Sequence, residues 1–338
     1  MVPGYRSPTI ESLSLRVAFA VNPKCLNMAP RISSQNWLEL RDIMDANVID
    51  EEPIVPPELK PIAECELNET PENRSRCIET VLQLLSEDKR LKSRVDDAFL
   101  MRFLRPAKFN PHRACRMITR YYKMREEAPD IFENRYTPRD QLRSFGFNLC
   151  TVLPHKDAQG RTLFIVRAGA WDPSQLSKKD FFMSSLLMME LSIRDVQTLI
   201  KGTVVIIDMA GLSLTHIKNF TPKDLKRIVT MIQDCFPCRI KAIHVVNQPN
   251  IFSIIWAVVS QFLTSKIASR VHLHGENLEG LYQQVDRKFL PDILGGPEPL
   301  DCSPRVKELL DLNDALFEDG AYGYRDFKEN YRSMKRSS

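Results

Sequence analysis

From about residue 145, short runs of branched apolar residues alternate with longer stretches of helical periodicity. This alternation restricts the fold more than any other feature of the chain. LFIVRAG (163–169), TVVIIDMAG (203–211), KAIHVVN (241–247) and RVHLHG (270–275) read as strands. Residues 178–200 and 221–235 read as helices between them. Strand–helix–strand alternation predicts an α/β domain with a largely parallel sheet. The pair Gly295-Gly296, followed by PEP, ends that domain.

Upstream, helix signals dominate. Thr70-Pro71-Glu72 joins a capping hydroxyl, a proline at the first helical position and a carboxylate near the positive end of the helix dipole. Ile78, Val81, Leu82 and Leu85 follow at helical spacing. DDAFLMRFL (96–104) and NPHRACRMITRYYKMRE (110–126) read as two more helices, so a small three-helix bundle is expected. Residues 1–57 are rich in Pro, Ser and Asn and end in EEPIVPPELKP, which reads as a poorly ordered, non-helical leader. The run LSLRVAFAV (13–21) lacks the cationic flank and cleavage site of a secretory signal. Residues 301–338 read as a polar tail, helical around 304–317, with cations at Arg332, Lys335 and Arg336.

One segment stands apart. NIFSIIWAVVSQFLTSKIASR (250–270) opens with fourteen residues almost free of charge, too few for a membrane-spanning helix of about 20. On a helical wheel at roughly 100° per residue, Asn250, Ser253, Ala257, Ser260 and Gln261 share a narrow stripe. Ile251, Phe252, Ile254, Ile255, Trp256, Val258, Val259, Phe262 and Leu263 cover an arc of about 200°, about twice what an ordinary surface helix needs. Two readings stand: a core helix buried all round, or a lid with one face over a cavity and the other toward something apolar outside. Phe181, Phe182, Met183, Leu186, Leu187, Met188 and Met189, with Ile228, Met231 and Ile232, fit an adaptable apolar cavity or an ordinary core.

Across 338 residues the net charge is only +4, too mild to argue for nucleic acid without a basic cluster. Eight cysteines in a chain of this length do not make a disulfide framework and are expected as free thiols in a reducing compartment. Cys235-Phe236-Pro237-Cys238 follows a helix instead of preceding one, the wrong place for a redox pair. His244, His272 and His274 gather on neighbouring strands with no local carboxylate or cysteine to complete a metal site. Asp208 ends a strand, where α/β enzymes keep catalytic groups, but no GxGxxG, Walker A, GxSxG or HExxH accompanies it. No catalytic residue, metal or cofactor is expected; an enzyme would have to use Asp208 or the Cys235/Cys238 pair.

FPCRIKAIHVVNQPNIFSIIWAVVSQFLTSKIASRVHLHG (236–275) with LPDILGG (290–296) resembles the CRAL-TRIO lipid-transfer family. The similar branch is that of alpha-tocopherol transfer protein, cellular retinaldehyde-binding protein and clavesins. DDAFLMRFLRPAKFNPHRACRMITRYYKMRE (96–126), AWDPSQLS and DMAGLSLTHIKNFTP fit in order, and the resemblance covers about 58–300. It implies a helical domain at 58–128, a lipid-binding domain at 129–300, and a mobile gate helix at 250–263 that includes Ile251, Phe252, Ile255, Trp256 and Val259. It implies a cavity lined by Phe182, Ser185, Met189, Ile228, Met231, Phe236, Ile243 and Ile255. It also implies a phosphoinositide grip at Arg239, Lys266 and Arg270, with Lys108 beside Ala107 where the family usually has Arg. If the gate helix runs on past Leu263, Lys266 and Arg270 share one of its faces.

The resulting expectation is a cytosolic, non-enzymatic carrier of a tocopherol- or retinoid-like lipid, reversibly attached to phosphoinositide membranes, endosomal ones included. The alternative is a phosphoinositide sensor or adaptor with trafficking-protein partners and no net transfer.

Overall fold

The computed structural model describes residues 53–132, 137–312 and 322–324. Residues 1–52 of the expected leader, the end of the expected tail helix and the tail cations lie outside the described residues.

Among the described residues, four helices open the fold, α1 (Lys60–Leu67), α2 (Pro71–Glu87), α3 (Asp97–Leu104) and α4 (Pro111–Glu127), and two short ones, Pro129–Phe132 and Leu142–Gly146, lead on to the sheet. Thr70, Asp96 and Asn110 cap α2, α3 and α4, each accepting a backbone N–H three residues on. The three expected helices are α2, α3 and α4; α1 precedes them and begins within the stretch EEPIVPPELKP that was expected to stay non-helical. Pro61 sits in the first turn of α1, where a missing N–H costs nothing, and Asn68 ends the helix with a left-handed φ of 62°. Phe99, Phe103, Tyr121 and Tyr122 pack edge-on between α3 and α4. A two-residue strand β1 (Leu91–Lys92) pairs with Gly323–Tyr324.

The main sheet has five strands in the order β2 (Cys150–Lys156), β3 (Thr162–Arg167), β4 (Thr203–Asp208), β5 (Ile240–Val246), β6 (Val271–Leu273). Strands β3 to β6 are parallel; β2 is antiparallel to β3 at the edge. The architecture is therefore mixed α/β with a helical N-terminal portion. Strand β2 was absent from the sequence expectation because Pro154 interrupts it. The register shift between Val152 and Lys156 falls around that proline, which only an edge strand tolerates.

The expected helix 178–200 is two helices, α5 (Lys178–Ser192) and α6 (Val196–Lys201), because the Asp195 carboxylate caps a fresh start by accepting from Gln197 N. The expected helix 221–235 is α8 (Pro222–Thr230), preceded by α7 (Leu214–Asn219) and followed by a π-helical turn, Met231–Cys235. Strand neighbours point to opposite faces. Leu163, Ile165, Val204, Ile206, Ala242 and Val246 pack against Leu281, Val285, Leu290 and Leu294 on one side. The other side carries Phe164, Val166, Val205, Ile207, Ile243 and Val245.

Candidate functional site

That second sheet face is the floor of a cavity of about 280 Å³ with an almost wholly apolar lining. Helix α5 supplies Phe181, Phe182, Ser185 and Met189 to one wall; α8 and the π turn supply Leu225, Ile228, Met231 and Ile232 to another. The roof is α9 (Phe252–Val259), the segment singled out as core helix or lid. Phe252, Ile255, Trp256 and Val259 turn inward at i, i+3, i+4 and i+7, and Leu263 closes the far end. Ser253, Ala257, Ser260 and Gln261 are exposed, and Ile254 is 50% exposed beside them. The helix is thus a roof with one wetted stripe and not a core helix buried all round. Ile251 packs at its start without lining the cavity.

The roof does not continue as one helix to Arg270. Residues Ser260–Phe262 tighten to a 3₁₀ turn, and Leu263 is extended (φ −74°, ψ 131°). Thr264 then caps a new helix, α10 (Ser265–Ala268). Lys266 and Arg270 therefore do not prolong the apolar arc of α9, as a continuous helix would require. The break is held from outside by Gln233 in the π turn. Its Oε1 accepts Thr264 N (2.7 Å) and Thr264 Oγ1 (2.9 Å), and its Nε2 donates to Phe262 O (3.1 Å).

Seven of the eight residues expected in the cavity wall line it; Phe236 does not. Its amide closes the π turn on Met231 O, and its ring is buried with the helical-domain core, away from the cavity. Residues that the expectation omitted include Leu263, His216 and, apart from Ile243, the sheet floor. The floor was legible in principle, since alternate positions of each strand share a face, but which face bounds a cavity is set by packing.

Beside α10 lies a basic cluster. The ammonium of Lys266 is held below its ordinary pKa by burial and then by the nearby charges of Arg113, Arg270, Lys108 and Arg239. Four of these five cations were expected from sequence; Arg113 was missed. It sits in the first turn of α4, where a cation opposes the helix dipole, but a single such residue does not by itself mark a cluster. Arg239 is engaged within the protein. Its Nη2 pairs with Glu66 at 2.9 Å, its Nη1 donates to Ile200 O, and its side chain is only 10% exposed. Lys241 also reaches Glu66, at 3.4 Å, and both cations hold the Glu66 carboxyl below its usual range. Among the described residues, Lys108, Arg113, Lys266 and Arg270 have no ion pair. Arg270 donates to the Ile240 carbonyl. Lys108 and Phe109 both take left-handed φ, 57° and 52°, a strained pair for residues with side chains.

Residues 147–296 match the CRAL/TRIO domain model, and residues 70–142 match the Pinta-like UBA domain model. The human alpha-tocopherol transfer protein-like protein is 38% identical over 68% of this chain and 68% of its own length. The chain belongs to the CRAL/TRIO family. Clavesin-1 of Xenopus laevis is 33% identical over 74% of this chain and 76% of its own. Clavesin-2 of Rattus norvegicus is 31% identical over 83% and 89%.

The features set aside in reading this CRAL/TRIO sequence have structural roles. Burial pushes the Cys235 and Cys238 thiols up to about 11 and the Cys150 thiol up to about 12, which leaves them poor nucleophiles at neutral pH. The Asp208 carboxylate accepts from Ala210 N (3.0 Å) and Asn247 Nδ2 (2.9 Å) and is not part of the cavity lining. It pins the turn that ends at Gly211 (φ 89°), which packs on Gly169, where an added Cβ would meet Ala210 O at 2.4 Å. His244, His272 and His274 stack on the sheet face away from the cavity, with His244 Nδ1 2.9 Å from His274 Nε2. Among the described residues no helix is long and apolar enough to cross a membrane.

Proposed function

We propose that this chain is an intracellular carrier that holds one hydrophobic lipid, tocopherol- or retinoid-like, and exchanges it at phosphoinositide-containing membranes. Residues 129–300 form the carrier domain in this reading, and 58–128 the helical domain that completes the basic cluster. The observation that carries the proposal is the apolar cavity roofed by an apolar helix, with a cation cluster immediately past the roof's hinge. The chemistry is transfer without catalysis.

Moving a lipid of about 20 carbons into water costs on the order of 15 kcal/mol, at roughly 0.8 kcal/mol per methylene. A dry cavity exchanges one apolar environment for another and removes most of that cost. The roof must open for this to happen, and the membrane must be met while it is open. Lys108, Arg113, Lys266 and Arg270 supply attraction of about 1 kcal/mol each at an anionic surface, strong enough to dock and weak enough to release. Arg239, already paired with Glu66, adds to the field and holds the strand end in place and makes no free headgroup contact.

Membrane docking without transfer is the competing reading, and a transfer assay separates the two. Protein loaded with a fluorescent hydrophobic lipid is mixed with acceptor vesicles that contain or lack phosphatidylinositol bisphosphate. Transfer that is faster with the phosphoinositide supports the carrier; binding to vesicles with no transfer favours the adaptor.

A further inference from the structure

Among the described residues, and leaving aside the Cys238 thiol and the Trp256 indole of the roof, six side chains with polar groups line the cavity: Lys178, Ser185, Ser192, Thr203, His216 and Gln233. Five have partners within the protein. Lys178 Nζ is taken by Asp224 and the Asn219 carbonyl. Ser185 Oγ is bonded to Phe181 O and meets the Cys150 thiol, while Ser192 Oγ donates to Met189 O. Thr203 Oγ1 meets the Cys238 thiol, and Gln233 holds the roof hinge.

His216 differs. It is only 7% exposed, and its Nε2 is buried with no partner among the described residues. The state of that nitrogen follows from the other one. Nδ1 lies 3.1 Å from the backbone N of Ser213, and a backbone N–H can only donate, so Nδ1 is the acceptor. The Ser213 hydroxyl, 2.8 Å away, reinforces the arrangement. In the neutral ring the proton then sits on Nε2, as a donor with nothing to donate to. Such a donor is costly to bury and calls for an acceptor from elsewhere. Among the described residues none lies within hydrogen-bond reach: the Asp172 carboxylate is near enough to feel the ring's charge but is bonded to Ser174 and Gln175. Trp171 stands edge-on at 6.0 Å with its own N–H spent on Leu176 O, and Phe220 and Phe181 pack on that indole.

We propose that the His216 Nε2–H is the docking point for the single polar group of the cargo. This rests on the carrier reading and narrows it. The cargo is an amphiphile with one uncharged oxygen acceptor, a hydroxyl or carbonyl, on an otherwise hydrocarbon body. A pure hydrocarbon leaves the donor unmet. A carboxylate needs a cation, and the one cation in the lining, Lys178, is already paired with Asp224 at 2.7 Å.

The test uses phytol and phytane, a branched C20 alcohol and the saturated hydrocarbon of the same carbon skeleton. Delipidated full-length protein is equilibrated with an equimolar mixture, and the bound fraction is extracted and quantified. The bound phytol-to-phytane ratio for wild type, divided by that for His216→Phe, cancels the difference in solubility. One neutral hydrogen bond predicts a quotient of about 2 to 12. A quotient of 1 overturns the proposal. If both proteins take up neither probe, the carrier reading falls and this inference with it. If His216→Phe does not fold, the wild type answers alone. The imidazole Nε2 proton resonance shifts with phytol and stays put with phytane; equal resonances in both overturn the proposal.

Discussion

Gln233 Oε1 accepts two hydrogen bonds from Thr264, one from its amide at 2.7 Å and one from its hydroxyl at 2.9 Å. The bonded pair joins the π turn to the hinge of the roof. The next residue of the turn, Asp234, reaches Arg120 on α4 at 2.9 Å, so one short turn touches both the helical domain and the roof. A π turn projects side chains off the α-helical register, which lets adjacent residues serve different partners.

Gln233→Ala removes three bonds to the hinge at once. Each is worth about 0.5–1.5 kcal/mol, less where water replaces it, so a stability loss of about 1–2 kcal/mol is expected. Hydrogen exchange should rise at residues 260–266 before it rises in the sheet, and a bound fluorescent lipid should leave faster. Unchanged exchange at the hinge would show that the roof is held elsewhere.

Trp256→Asp places a carboxylate against the apolar lining. Retention of a loaded hydrophobic lipid should fall more than tenfold, since an unpaired buried charge costs several kcal/mol. Vesicle binding should survive, because the basic cluster is untouched. Lipid retention equal to wild type contradicts the cavity's role.

Lys108→Gly separates backbone strain from charge. Glycine adopts the left-handed φ of 57° without penalty, and its extra freedom in the unfolded chain offsets that relief. Stability should stay within about 1 kcal/mol of wild type, while affinity for phosphoinositide vesicles falls roughly 5-fold, the value of one cation. A vesicle affinity that does not change removes Lys108 from the docking surface.

Acid sensitivity is expected from the histidine stack. Burial, then the neighbouring His274 and His272 and the charge of Arg161, lower the His244 pKa to about 3. The unfolded chain has a pKa near 6.5, so between these values it binds more protons than the fold does. Stability is fully present above pH ~6.5 and declines as the pH falls toward 3. Between pH 8 and 5 the loss is on the order of 2 kcal/mol, a fall in melting temperature of roughly 5 °C. His244→Phe should flatten that slope; an identical slope assigns the acid sensitivity to other groups.

Much of this arrangement was readable from residue types. The width of the apolar arc at 250–263 required two apolar environments, and α9 is indeed inward-facing with Ile254 left half-exposed. The capping stretch Thr70-Pro71-Glu72 located the start of α2 because a cap is a local interaction that needs no tertiary context. What escaped depended on packing. Pro61 looked like a helix breaker and is a helix starter. Leu263 turns extended although the apolar run gives no warning, because Gln233, thirty residues back, bonds across the break. The family resemblance implied Phe236 as a cavity residue, yet the π turn directs it into the core beside the N-terminal helices. Arg113 and His216 were overlooked for one reason. A single cation or histidine on a helix carries no periodic signal, and each acquires meaning only from what the fold sets around it.

The most direct test of the carrier account is native mass spectrometry of the full chain purified without detergent, followed by organic extraction. The account predicts one stoichiometric hydrophobic lipid bearing a single neutral oxygen, lost in Trp256→Asp. A protein that emerges empty, and stays empty after exposure to cell-lipid extract, while still binding phosphoinositide vesicles would contradict it.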